Sequence, residues 1–80
     1  MAVNTVSITT SWQRVGAGIG VFTVTRRGTG QLLFNRTASD TNAYVFAAEI
    51  SEQFRQTEQV DTYVRATSSG WEVLADGVLP

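Results

Sequence analysis

The chain alternates apolar and polar residues over short runs, and glycine or small polar residues end most of them. Residues 4–10, NTVSITT, put Val6 and Ile8 on one face and Thr5, Ser7 and Thr9 on the other. Residues 19–26, IGVFTVTR, set Phe22 and Val24 against Val21, Thr23 and Thr25. A period of two is that of a strand with one buried face. RRGTG (26–30) has turn chemistry, and QLLFNR (31–36) reads as the return strand of a hairpin, with Leu32 and Phe34 sharing a face and Leu33 opposite. TASDTNA (37–43) is a loop of residues that hydrogen-bond their own backbone. DTYVRAT (61–67) alternates Thr62, Val64 and Ala66 with Asp61, Tyr63 and Arg65. WEVLAD (71–76) sets Trp71, Val73 and Ala75 against Glu72, Leu74 and Asp76. With the polar loop ending at Gly70, these two runs predict a C-terminal hairpin.

One segment reads two ways. In YVFAAEISEQFRQTEQ (44–59), Ala47, Ile50 and Phe54 have helical spacing, and Ser51 has the chemistry of a cap. The same stretch also fits strands at 43–47 and 53–57. The strand reading is preferred because every neighbouring segment is β and the levels of structure should agree. About seven to eight short antiparallel strands at turn spacings of roughly 8–12 residues predict an all-β, jelly-roll-like β-sandwich. The 80 residues form one domain, with 1–5 as a possible N-terminal arm and 77–80 as a possible C-terminal tail. Phe22, Val24, Val64, Trp71 and Val73 are the expected core.

Composition narrows the chemistry. A chain of this size buries roughly 60–65% of its unfolded surface and holds only about 3–5 kcal/mol of net stability in one core. It has no cysteine and no histidine, so disulfides, thiolate metal sites and the commonest general base are absent. The staple left open is oligomerisation. Six arginines, no lysine and seven carboxylates give a net charge of −1. The only adjacent basic pair is Arg26-Arg27, so the basic stripe of a nucleic-acid binder is missing. No stretch approaches the ~20 apolar residues needed to span a bilayer. MAVNTVSITTSW has no basic region followed by an apolar core, and synthesis and folding in a cytoplasm are expected.

The candidate motifs favour plain structural readings. In GAGIG (16–20), Gly16 and Gly18 fit a dinucleotide fingerprint, but the sixth position is Val21 and a strand pattern follows, so a turn is expected. Glu49 with Glu52, or Asp40 with Asp61, are conceivable acid–base pairs, but no spacing singles them out from solvated surface carboxylates. SDTN (39–42) offers oxygens for calcium but reads first as a turn. NRT (35–37) matches a glycosylation acceptor, which has no role without a secretory signal. Neither metal nor other cofactor is expected. Trp12 and Trp71 read as core or subunit-interface rings ahead of ligand-binding ones, and Trp71 has the stronger core case because it opens an alternating strand. The candidate partner-interface residues are Val3, Trp12, Val78 and Leu79, because both chain ends carry apolar residues outside the strand pattern.

Three features carry a resemblance. Thr9–Gly18 is a threonine-rich lead into a tryptophan and a small-residue turn; Gly28-Thr29-Gly30 is a glycine–polar–glycine turn; Tyr63-Val64-Arg65-Ala66 is followed by a short loop and a final hydrophobic strand. In these respects residues 6–76 resemble a family of small all-β proteins of tailed-bacteriophage virions. AAEISEQF (47–54) departs from that pattern, since relatives tend to have a proline or glycine turn there. The resemblance implies a non-enzymatic head decoration (cement) protein on the capsid exterior. It would be a homo-oligomer, with a trimer favoured, whose partner is the major capsid protein or another virion protein, and it would bind neither nucleic acid nor membrane. The alternatives are a tail or fibre component that contacts the host surface, or a carbohydrate-binding module in which Trp12, Tyr44 or Tyr63 stacks on sugar.

Overall fold

The computed structural model describes residues 3–46 and 53–77. Eight strands follow one another: β1 (Val3–Ile8), β2 (Gln13–Ala17), β3 (Gly20–Arg26), β4 (Leu32–Asn35), β5 (Tyr44–Val45), β6 (Gln53–Gln56), β7 (Asp61–Ala66) and β8 (Trp71–Gly77). They form two four-stranded sheets, ordered β1-β8-β3-β6 and β2-β7-β4-β5. All pairings are antiparallel. Four of them, β1–β8, β2–β7, β3–β6 and β4–β5, nest one inside the next, as in a single long hairpin folded back at β4–β5. Rolling that hairpin up brings β3 against β8 and β4 against β7, which are the two remaining pairings. The result is the jelly-roll topology of an all-β sandwich.

Three local expectations are corrected. β3 and β4 do not form a hairpin, nor do β7 and β8, because the members of each pair lie in different sheets. The loops between them are crossovers from one sheet to the other. They pack together: Gln31 N donates to Thr67 Oγ1 at 2.8 Å, Thr67 N to Gln31 O at 2.9 Å, and Trp71 Nε1 to Thr29 O at 2.9 Å. Residues 3–5, expected in an N-terminal arm, are in β1 and pair with Asp76, Ala75 and Leu74. Backbone pairing needs no apolar alternation, so their polar sequence does not keep them out of the sheet. Gly77 ends β8, while Val78 and Leu79 lie outside the described residues. In the two-way segment, Tyr44–Val45 and Gln53–Gln56 are strands as preferred, and the helical positions Ala47 and Ile50 lie outside the described residues.

The alternating faces hold. Phe22, Val24, Val64, Trp71 and Val73 are all buried. Four phenylalanines cross the space between the sheets. Phe34 stacks on Phe54 at 4.4 Å between ring centroids, and touches Phe22 and Phe46 at 6.2 and 6.0 Å. β2 was not expected from the pattern: its only aliphatic residue with a branched side chain is Val15, and a register shift lies between Arg14 and Gly16. That bulge puts Val15 in the core, 1% exposed.

One polar pair sits inside. Gln56 Nε2 donates to Thr62 Oγ1 at 3.2 Å, and Gln56 Oε1 accepts from Glu58 N at 3.1 Å. Thr62→Val keeps the shape but leaves the buried amide one partner short. A loss of about 1–3 kcal/mol is expected, seen as a melting temperature lower by roughly 4–8 °C per kcal/mol. A thermal melt followed by circular dichroism checks it.

Candidate functional site

The outer face of the β2-β7-β4-β5 sheet collects the side chains that could meet a ligand or partner. Arg65 leaves β7 on this face, opposite the core positions Val64 and Ala66. Its register partner on β4 is Leu33, and Leu33 in turn pairs with Val45. Leu33 points away from the core but is only 9% exposed, and Val45 is exposed. Trp12 closes the row on the far side of Arg65, next to Gln13, which pairs with Val64.

The β4–β5 loop folds back over this row. Asn35 organises its start: Nδ2 donates to Ser39 O at 2.7 Å and to Thr41 O at 2.9 Å, while Oδ1 accepts from Arg36 N at 2.7 Å. The chain turns back through Asn42, which takes a left-handed conformation with φ 59°. Asparagine tolerates that region better than most residues. The loop thereby brings Asp40 onto the sheet. Its Oδ1 accepts from Trp12 Nε1 at 3.0 Å and from Arg65 Nε at 2.9 Å, and its Oδ2 accepts from Arg65 Nη2 at 3.3 Å. Arg65 Nη1 also donates to Thr10 O at 3.1 Å, and its guanidinium carbon lies 5.9 Å from the centre of the Trp12 ring. This is a bidentate ion pair with a cation–π contact on one side. It forms one wall of an open groove that Thr10, Ser11, Ser39 and Thr41 also line.

A second row lies beside the first. Tyr63 pairs with Arg14 on one side and Asn35 on the other. Arg14 Nε is 3.2 Å from Asp61 Oδ1. The structure does not bring Asp40 and Asp61 together. Each is bonded to its own arginine, and the arginine that Asp40 holds is four residues along β7 from Asp61, a span of roughly 13 Å in a strand. Glu49 and Glu52 lie outside the described residues.

No family model, curated protein or solved structure matches the chain.

The other candidate positions fall elsewhere. Trp71, the stronger core candidate, is in the core cluster, and Trp12 lies outside it. Val3 is paired in the sheet through its backbone. Tyr44 leaves the outer face altogether: it pairs with the core residue Phe34 and its ring is 5.4 Å from that of Phe54. With Phe34, Phe54, Asn35, Arg36 and Gln56 it lines a cleft of about 300 Å³ at the open side of the sandwich. GAGIG runs from the end of β2 to the start of β3: Gly16 is in β2 opposite Thr62, and Gly18 N donates to Val60 O at 3.0 Å. Gly16 has a packing reason, since a Cβ there would come within 2.6 Å of Phe22 Cζ. SDTN supplies the bend of the β4–β5 loop, and no group of three or more acidic, histidine or cysteine side chains converges among the described residues.

Proposed function

We propose that this chain is a structural virion protein of a tailed bacteriophage, a head decoration module that binds the capsid exterior as a homo-oligomer, with a trimer favoured. The observation that carries the reading is the edge strand β1. It pairs with β8 alone, in unbroken register over six residues, and stands at the end of its sheet. Its sequence, VNTVSI, has no charge and no proline. Monomeric proteins blunt such edges with lysine, proline, bulges or a covering element, because an open edge pairs with other chains. β1 has none of the first three, and its cover among the described residues includes the Gln13 side chain, whose Nε2 donates to Ser7 O at 3.3 Å. Addition of a neighbour's strand here would supply the burial that an 80-residue chain without disulfide lacks. The jelly-roll topology agrees, since that architecture recurs in viral capsid domains, though by fold analogy alone. The major capsid protein is the second partner, and the reaction chemistry of the module is nil.

The test pairs solution state with location. The chain should sediment as an oligomer at micromolar concentration, and image reconstruction of decorated particles should place it on the capsid facets. Thr5→Lys with Ser7→Lys, both exposed positions of β1, should give a folded monomer that no longer decorates heads. A wild-type monomer with isolated copies on the particle would overturn the oligomer, and density on the tail would overturn the location.

A further inference from the structure

We infer that the groove beside Trp12, Asp40 and Arg65 is a saccharide subsite for a neutral hexopyranose. This goes beyond a structural role in the virion and rests on other residues than the β1 edge. A pyranose ring has two kinds of surface. Its C–H face packs against an aromatic plane, and its edge presents adjacent hydroxyls that both donate and accept hydrogen bonds. A site for it needs a fixed aromatic ring beside a planar polar pair.

The groove has both. Trp12 stays outside the core cluster, which takes the other tryptophan, and is partly exposed. Its indole N–H is held by Asp40, so the ring's orientation is set before any ligand arrives. The Asp40–Arg65 pair supplies the polar plane. A carboxylate offers about four acceptor positions, and a guanidinium has five N–H groups. Trp12 and Arg65 take three of the acceptor positions of Asp40, whose side chain is 66% exposed. Arg65 spends three donors, on Asp40 twice and on Thr10 O. By count, one acceptor position of Asp40 and two N–H donors of Arg65, whose side chain is 21% exposed, are left over. A vicinal diol matches that combination: one hydroxyl gives its proton to the carboxylate while its neighbour accepts from the guanidinium. Serine and threonine residues complete the lining.

Charge decides the class of sugar. Asp40 and Arg65 cancel at contact distance, so the groove has no surplus positive charge to draw in a sialic acid, a sulfate or a phosphate.

The two tryptophans make the test internal to one molecule. The indole N–H resonance of Trp12 reports the groove, and that of Trp71, bonded to Thr29 O inside the fold, serves as the control. Nitrogen–proton spectra of the full chain are recorded while cellobiose, maltose, lactose or 3′-sialyllactose is added into the millimolar range. At least one neutral disaccharide should shift the Trp12 indole and the Arg65 Nε resonances saturably and leave Trp71 unmoved. Trp12→Ala should weaken that binding by about tenfold or more, as loss of a central aromatic anchor does. Trp12→Phe, which keeps an aromatic plane, should retain part of it. The absence of a saturable shift with every neutral sugar, a response to sialyllactose alone, or equal saturation in folded Trp12→Ala protein overturns the inference.

Discussion

Phe22→Ala is expected to leave the isolated chain without a cooperative fold at room temperature. Phe22 is fully buried on β3, which pairs with β8 on one side and β6 on the other. Its ring lies 6.2 Å from both Phe34 and Phe54, and it fills the space above Gly16 that a side chain there would occupy. Truncation would open a cavity touching both sheets at once. Neither can collapse into it, because each is held in register by its own backbone pairs. Buried phenylalanine truncations cost about 3–5 kcal/mol, the same size as the whole net stability of about 3–5 kcal/mol that a core this small supplies. Circular dichroism should show no cooperative melt for the variant alone. Ile19→Ala is the control, since Ile19 is 57% exposed and should change stability by no more than about 0.5 kcal/mol. An unchanged melting temperature for Phe22→Ala would mean that β3 faces the other way.

The inward faces were legible in the sequence because a period of two states directly which residues share a side. Val6 with Ile8, Thr62 with Val64 and Ala66, and Trp71 with Val73 and Ala75 all turn inward as their alternation requires. Strand partners were not legible. β3 and β4 would turn Phe22 and Phe34 inward whether they formed a hairpin or faced each other across a sandwich, so alternation cannot separate the two arrangements. β2 was missed for a different reason. QRVGA has one branched aliphatic residue, and its bulge breaks the period at the residue that enters the core. Of the groove, Trp12 was read only as an interface candidate and Arg65 only as one of the alternating positions of 61–67. Nothing local tied either to Asp40, which is 25 positions from Arg65 and reaches it only because Asn35 and Asn42 turn the β4–β5 loop back over the sheet.

Gly28→Ala should be nearly as damaging as a core truncation, although it adds a single methyl group to a loop. A Cβ at Gly28 would stand 2.5 Å from Ser69 O, 2.6 Å from Trp71 Cδ1 and 2.8 Å from Gly70 C. Two of those atoms are backbone and cannot rotate away. The third belongs to a ring pinned by its bond to Thr29 O and 6% exposed. The methyl group must therefore push the two crossover loops apart. Overpacking of this kind costs about 1–3 kcal/mol, and loss of the Trp71–Thr29 bond adds about 0.5–1.5 kcal/mol. At roughly 4–8 °C per kcal/mol for a domain of this size, the melting temperature should fall by about 10 °C or more. The Trp71 indole resonance should move with it, while Thr29→Ala, which alters an exposed side chain and keeps the carbonyl, should do neither. Gly28 does not have a positive φ, so backbone strain makes no contribution. If β3 and β4 were instead joined as a hairpin, residue 28 would stand at a solvent-exposed tip, where a methyl group meets only water. A melting temperature close to wild type would therefore count against the crossover arrangement itself, and with it against the jelly-roll order of the strands.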